Sequence, residues 1–424
     1  AATATVLSLT ANCRISGNRD SSHAMNNGTK PLIKWPGGKS AEFGRISDFL
    51  PPDAAYDRYI EPFLGGGAVF WRLRPTVAVL NDISAELMDF YRFVGDKQGR
   101  DRHQFEQALY GYVEHWQLLD ELFSEVEDEL LSAYTAYSSD AVSEHAFKQQ
   151  IEQTLTDDTG LFAAFDEEFC VDRPALVHTT VERLQSKLVR TSDKIDQENE
   201  FPEADVLKNV EAGLKGGFYT HFRSVLNKAK LGSIELSRAR EVANYFFIRE
   251  FCYGSMFRYN ASGEFNIPYG GIAYNDKDIE KKVDRIFSEQ VKRTLGSADV
   301  RLHAEDFERL LDSCGPTEND FVFLDPPYDT DFSGYNNDSF TKTDHRRLAD
   351  WLHTTPAQFV LVIKNTELIQ SLYVEKERFQ VESFQKQYAY NVRDRNEQSA
   401  EHLIVHSGTK KQTQLTDYGR QAEE

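Results

Sequence analysis

The chain has only four cysteines in 424 residues, at positions 13, 170, 252 and 314, and none stand at a paired or zinc-ligand spacing. That scarcity excludes a disulfide scaffold and fits reduced thiols in a reducing compartment, with no structural metal expected. His221, His303 and His345 likewise show no ligand spacing. No apolar run approaches the roughly 20 residues that a membrane-spanning helix needs. No charged n-region precedes the mildly apolar opening stretch, so a secretory signal is not expected, and residues 1–30 read as a disordered leader. Internal repeats are also missing. What is present, 40% hydrophobic and 12% aromatic residues, is the composition of a globular protein of two or three domains.

Positive charge is scarce as well. A net charge of −20, taken whole, argues against a nucleic-acid partner. Its distribution reverses that reading. Residues 101–214 hold 26 acidic against 8 basic side chains, a balance of −18, whereas 215–261 hold 8 basic against 3 acidic, a balance of +5. The acidity is local, and a basic stretch follows it directly.

Apolar strand-like runs occur at 57–60, 77–80, 300–302, 321–324, 359–363 and 402–405, with helix-like periodicity after the first two. Between about 100 and 245 the spacing of apolar residues is helical throughout. A Gly- and Asn-punctuated stretch near 252–271 reads as a hairpin. The simplest parse is one α/β catalytic domain over 31–99 and 276–408. A mostly helical insertion over 100–275 interrupts it, and a polar tail follows from 409 to 424.

Asp325-Pro326-Pro327-Tyr328 follow the run Phe321–Leu324, and so belong at a strand's carboxyl end, where open α/β sheets place their ligands. A carboxylate accepts hydrogen bonds from an amine, and so does a carbonyl beside prolines, which have no competing N–H. A tyrosine ring stacks on a flat base. The set suits a grip on the exocyclic amine of a planar base, although alone it also fits a proline-stiffened strand end. Glu61-Pro62-Phe63-Leu64-Gly65-Gly66-Gly67 is a glycine-rich turn without the GxGxxG spacing, and such turns are as often structural as ligand-binding. Asp82, at the end of the next strand, is placed to bind ribose hydroxyls. A cofactor with a ribose but no pyrophosphate fits the pair, and S-adenosylmethionine is one. Its positive charges favour a carboxylate, for which Glu61 and Asp325 are candidates. Lys34-Trp35-Pro36-Gly37-Gly38-Lys39 either presents a cation to an anion or is an exposed loop with a half-buried Trp.

In that order, these three motifs resemble the Dam-type (D12 class) DNA adenine-N6 methyltransferases. Arg258–Gly270, reading RYNASGEFNIPYG, is similar to that family's DNA-reading hairpin, and Phe218–Lys228 to the stretch preceding it. The resemblance covers roughly 31–95 and 215–406. It implies an α/β fold: a Rossmann-like S-adenosylmethionine-dependent methyltransferase sheet with a reversed edge strand and an inserted, mostly helical target-recognition domain. It also implies site-specific methyl transfer to the N6 amine of an adenine flipped from duplex DNA, in the cytoplasm of a prokaryotic or phage-infected cell. Asp325, Pro326 and Tyr328 would be catalytic. Trp35, Lys39, Glu61, Phe63, Gly65, Asp82, Asp306, Phe307 and Asp325 would surround the cofactor. Lys34, Arg258, Asn260 and Pro268 match DNA-contacting positions, Met256 lies in the reading element, and Tyr253 matches an aromatic that wedges into the duplex.

Two departures fall in that reading element. Gly254 stands where the family commonly has Asn, and Met256 replaces a usual Leu, so the target sequence is not inherited. About 100 residues of acidic helix over 105–210 also exceed a compact family member. At −18 that surface is repelled by phosphate. It reads as a solvated face, a dock for a basic protein partner, or a cover for the basic groove. Rival readings are N4-cytosine methylation, adenine methylation of RNA, and a DNA-binding protein of the same fold without turnover.

Overall fold

A computed structural model describes residues 30–408 apart from 53–54, 98–99, 157–161, 163, 199–201, 257, 330–339, 375 and 388–398. The expected tail, and all of the expected leader but residue 30, lie outside the described residues. Seven strands form one sheet in the order β3-β2-β1-β4-β5-β7-β6. They are β1 Arg58–Glu61, β2 Ala78–Asn81, β3 Val300–His303, β4 Asp320–Leu324, β5 Gln358–Lys364, β6 Gln380–Gln387 and β7 Ser399–His406. The first five are parallel, while β7 runs antiparallel to both β5 and β6. The reversed strand therefore sits inside the sheet rather than at its rim, and β6, which the sequence did not signal, forms the rim. Its residues, Gln-Val-Glu-Ser-Phe-Gln-Lys-Gln, are those of an edge strand, polar and carrying a lysine that points inward.

The central strands are buried on both faces, as parallel strands covered by helices must be. Alternate side chains serve two cores. Tyr59, Leu80, Phe321 and Phe323 face one, and Ile60, Val79, Val322 and Leu324 face the other. The helices that position the site are α1 Ala85–Val94, α2 Arg102–Ser138, α3 Arg173–Glu198, α4 Glu203–Lys230, α5 Arg238–Phe251, α6 Ile279–Phe287, α7 Phe307–Cys314 and α8 Lys342–Thr354. The second core packs α7 and α8 on the sheet. No helix among the described residues is long and apolar enough to cross a membrane.

The first core runs without a break from the sheet into α2, α4 and α5. Phe90 of α1 stacks on Phe246 of α5 at 5.5 Å, and Tyr112 of α2 on Phe247 at 4.7 Å. Trp116 lies 4.2 Å from Phe251. Gly213 and Gly217 of α4 press so closely on Leu184 and Thr180 of α3 that no side chain fits at either position. The helical segment is thus fused to the sheet through shared aromatic packing, so excising 105–210 would open the core.

A charged contact ties the same parts together. Asp89 of α1 accepts hydrogen bonds from Arg92 at 2.9 Å, from Arg100 at 3.0 Å, and from Arg238 of α5 at 2.7 Å. Burial alone would push its carboxyl up, but Arg238 and Arg92 overcome this and hold it below the usual range. A depressed folded-state pKa stabilises at neutral pH and is lost as pH falls through that value. We expect Asp89→Asn to cost about 2 kcal/mol at pH 7, below a fully buried pair because Arg100 and Arg238 are part-exposed. In urea titrations the gap from wild type should close as pH drops below 4, and a pH-independent gap would contradict the ionic role.

Candidate active site

The order of strands reverses between β1 and β4, and this switch point is where doubly wound sheets open a crevice at their carboxyl ends. Glu61 ends β1, Asp82 directly follows β2, and Asp325 directly follows β4, so topology alone gathers three carboxylates there. Asn81 fixes the rim. Its amide donates to the carbonyls of Pro62 and Glu305, both at 3.0 Å, and its oxygen accepts the Glu305 N–H.

Asp325 is held by Lys39. The lysine, 2% exposed, forms an ion pair with the Asp325 carboxylate and donates to the Tyr328 hydroxyl at 2.9 Å and the Gly37 carbonyl at 3.0 Å. Tyr328 meets buried His402 of β7 edge to face at 5.1 Å, while Pro326 is buried and Pro327 exposed. Burial pushes the Asp325 carboxyl up, and Lys39 works against that shift. Lys386 of β6 adds a second cation, itself paired with Glu42 at 2.9 Å. His402 is pushed down to about 4, first by burial and then by Lys386 and Lys39, so it is neutral at physiological pH.

Glu61 is buried, accepts the Tyr59 hydroxyl at 2.9 Å, and is raised well above the usual range, chiefly by burial and also by Asp325 and Asp82. Asp82 accepts the Gly65 N–H at 2.9 Å and the Ser84 N–H at 3.0 Å, and burial raises it too. Gly65 takes a positive φ of 49° under the Trp35 indole, and a Cβ there would collide with that ring. The Arg249 guanidinium of α5 lies 4.7 Å from the centre of the same Trp35 indole and donates to the Lys34 carbonyl at 2.9 Å. Phe63, Phe307 and Phe340 meet at 5.4 to 5.6 Å as an aromatic wall. Asp306 caps α7 and pairs with Arg347 at 2.6 Å. Lys39, Glu61, Gly65, Asp82 and Asp325 thus come together with Trp35 at the strand ends. Phe63 and Phe307 share a wall, and Asp306 also serves a helix cap.

Of the nucleic-acid candidates, Tyr253 is 43% exposed and Arg258, Asn260 and Pro268 are exposed, while Lys34 and Met256 are half-buried. The hairpin is held by two bridges, Cys252 to Tyr269 and Tyr259 to Phe265. Asn260 is engaged within the turn, its oxygen accepting the N–H of Ser262 and Glu264. Tyr219, Arg223 and Asn227, four residues apart on α4, latch onto the hairpin backbone at Ile267 and Phe265 with bonds of 2.8 to 3.0 Å. Their segment resembled the family, but their function as a latch needs the fold. Lys386, Glu42, His402 and Arg249 were not singled out from sequence, because their partners are hundreds of residues away or lie on the unsignalled β6.

A family profile described as D12 class N6 adenine-specific DNA methyltransferase matches residues 35–156 and 184–390. The chain belongs to that family. It is an adenine-specific DNA methyltransferase, and N4-cytosine methylation is not favoured. Residues 157–183, within the acidic helical segment, lie between the two matched stretches. The chain is 23% identical to the type II methyltransferase M.CviBI of Paramecium bursaria Chlorella virus NC1A, over 89% of this chain and 98% of that one. It is 25% identical to the type II methyltransferase M.MjaIII of Methanocaldococcus jannaschii, over 76% and 78%. It is 33% identical to the retron Ec67 DNA adenine methylase of Escherichia coli over 33% of this chain and 47% of that one.

Lys39 is the main counterweight to the burial of Asp325. In Lys39→Met the Asp325 carboxyl should rise further, and a protonated carboxyl accepts a hydrogen bond more weakly than a carboxylate. The acid limb of the methylation pH profile should therefore move to higher pH, with Lys39→Arg restoring it. An unmoved limb in Lys39→Met would show that the pair does not tune the carboxylate.

Proposed function

We propose that Asp325 and the Pro326 carbonyl accept the two protons of an adenine N6 amine while Tyr328 stacks on the base. The observation that carries this reading is the carboxylate at the β4 end, which Lys39 favours in its charged, accepting form against burial. The amine lone pair is delocalised into the ring, and two accepted hydrogen bonds favour a more tetrahedral, nucleophilic nitrogen. Interactions that strengthen as that nitrogen attacks raise the rate. Tyr328 is a fixed platform, anchored at its hydroxyl by Lys39 and at its ring by His402. Stacking of this kind contributes ~1–3 kcal/mol per base, which offsets part of the few kcal/mol needed to flip the base from the duplex.

The strand ends suit S-adenosylmethionine. Glu61 and Asp82 are buried acids with raised carboxyls and Asp325 stands half-buried beside them, and a cationic ligand suits that cluster. Trp35, Phe63, Phe307 and the close Gly65 backbone would hold its flat and apolar parts, with Asp82 toward the ribose. When bound, that cofactor supplies an activated methyl group. The protein's share is to align the amine and exclude water.

In this reading 31–99 and 276–408 form the catalytic part, and 100–275 carries recognition through the hairpin near 252–271. Lys34, Tyr253, Met256, Arg258, Asn260 and Pro268 lie toward DNA, in the cytoplasm of a prokaryotic or phage-infected cell. The exposed acids Glu121, Glu125 and Asp128 of α2 form a stripe at helical spacing that fits a solvated face. If so, reversing all three to Lys should change duplex affinity less than about threefold at 0.1 M salt, since charges beyond a Debye length of about 10 Å are screened. A tenfold gain would place the stripe beside the groove.

The direct test is methylation of unmethylated genomic DNA with S-adenosylmethionine, read by single-molecule sequencing. Wild type should place N6-methyladenine at one short motif. Asp325→Asn should lose about 10²–10³ in kcat, the scale for removing one preorganised polar contact, while still binding cofactor. Full activity in Asp325→Asn would remove the carboxylate from the mechanism.

A further inference from the structure

A cavity of about 580 Å³ opens between Lys34, the last turn of α5 and the first turns of α6. Lys34, Lys277, Lys281, Lys282 and Arg285 line it, against only Glu250 and Asp278. Asp278 is engaged in capping α6, accepting the Lys281 N–H at 2.8 Å. Glu250 is buried and serves several partners at once. It forms ion pairs with Lys282 and, at 3.8 Å, with Lys277, and it accepts the Lys34 N–H at 3.1 Å. In a chain of net charge −20, five cations line this cavity, and the buried Glu250 forms ion pairs with only two of them, Lys277 and Lys282. The cavity keeps a surplus of positive charge, which an anion would balance.

The cavity adjoins the hairpin. Phe251 lines it and leads into Cys252, which bridges to Tyr269. The Tyr274 ring lies beneath two of the ammonium groups, Lys34 at 4.9 Å and Lys277 at 4.5 Å, and its hydroxyl accepts the Gly254 N–H at 3.2 Å. We propose that this pocket binds a backbone phosphate of the DNA, fixing the duplex while the adjacent hairpin reads it. The inference rests on the DNA methyltransferase reading and adds an anchor that carries no sequence information of its own.

Proton linkage supports it. Lys277 is pushed down to about 7, first by burial and then by Lys34 and Lys282, with Glu250 opposing. The groups around it are Glu250 and the Phe251 ring from α5, Lys34, the Tyr274 ring, and Lys282 from α6. A phosphate favours the charged amine, so binding takes up a proton, and affinity falls as pH rises above about 7.

The test is duplex binding by fluorescence anisotropy across a salt series, for wild type, Lys277→Gln, Lys281→Gln and the double variant. Lys292→Gln, an exposed lysine on the next helix, is the control for charge alone. The double variant should lower the slope of log affinity against log salt by about 1, equally on duplexes with and without the target site. Lys277→Gln should also flatten the fall of affinity above pH 7, and unchanged melting temperatures would exclude misfolding as the cause. Slopes matching the Lys292→Gln control would overturn the pocket while leaving DNA binding intact. If the double variant loses only inorganic phosphate binding and keeps the wild-type slope, the pocket takes a free anion and the backbone assignment fails. Absence of duplex binding in wild type would overturn both this proposal and the reading on which it rests.

Discussion

Three carboxylates at the ends of neighbouring parallel strands, Glu61 and Asp82 buried and Asp325 half-buried, set the terms for the rest of this molecule. Glu61, Asp82 and Asp325 are each raised by burial, and Glu61 further by its two neighbours. Such a cluster is unfavourable unless hydrogen bonds and cations satisfy it. The surrounding structure does this unevenly. Tyr59 supports Glu61, backbone amides hold Asp82, and Lys39 neutralises Asp325. What is left unmet matches a positively charged cofactor on one side and a hydrogen-bond-donating amine on the other.

The insertion and the sheet act as one body in this scheme. Arg249 packs on Trp35 and bonds the Lys34 carbonyl, so α5 braces the loop that delivers Lys39. The same helix presents Glu250 to the basic cavity and leads directly into the hairpin. One rigid element thereby connects the hairpin to the loop that carries Lys39, and the Asp89 cluster and the Phe90–Phe246 stack fasten it to α1 and the sheet.

Much of this was legible in the chain itself, for a physical reason. Asp325–Tyr328 and Glu61–Gly67 stand at the ends of apolar runs, and strand-end position is readable because burial on both faces enforces a continuous apolar stretch. Residues whose work is pairwise and distant were not legible. Lys386 lies on a polar strand with no hydrophobic signal and pairs with Glu42, over 300 positions away. Glu250 looks like one more helical acid until α6 brings its lysines against it. The Tyr219–Arg223–Asn227 latch had a visible period of four, but nothing local says what lies opposite.

The central claim is that the Lys39-held Asp325 carboxylate receives the target amine, and a structure of the enzyme with a cofactor analogue and its target duplex tests it most directly. The amine of the extruded adenine should lie within hydrogen-bond distance of Asp325 and the Pro326 carbonyl, with Tyr328 against the base. An adenine amine bound elsewhere, with Asp325 still facing only Lys39, would contradict the claim.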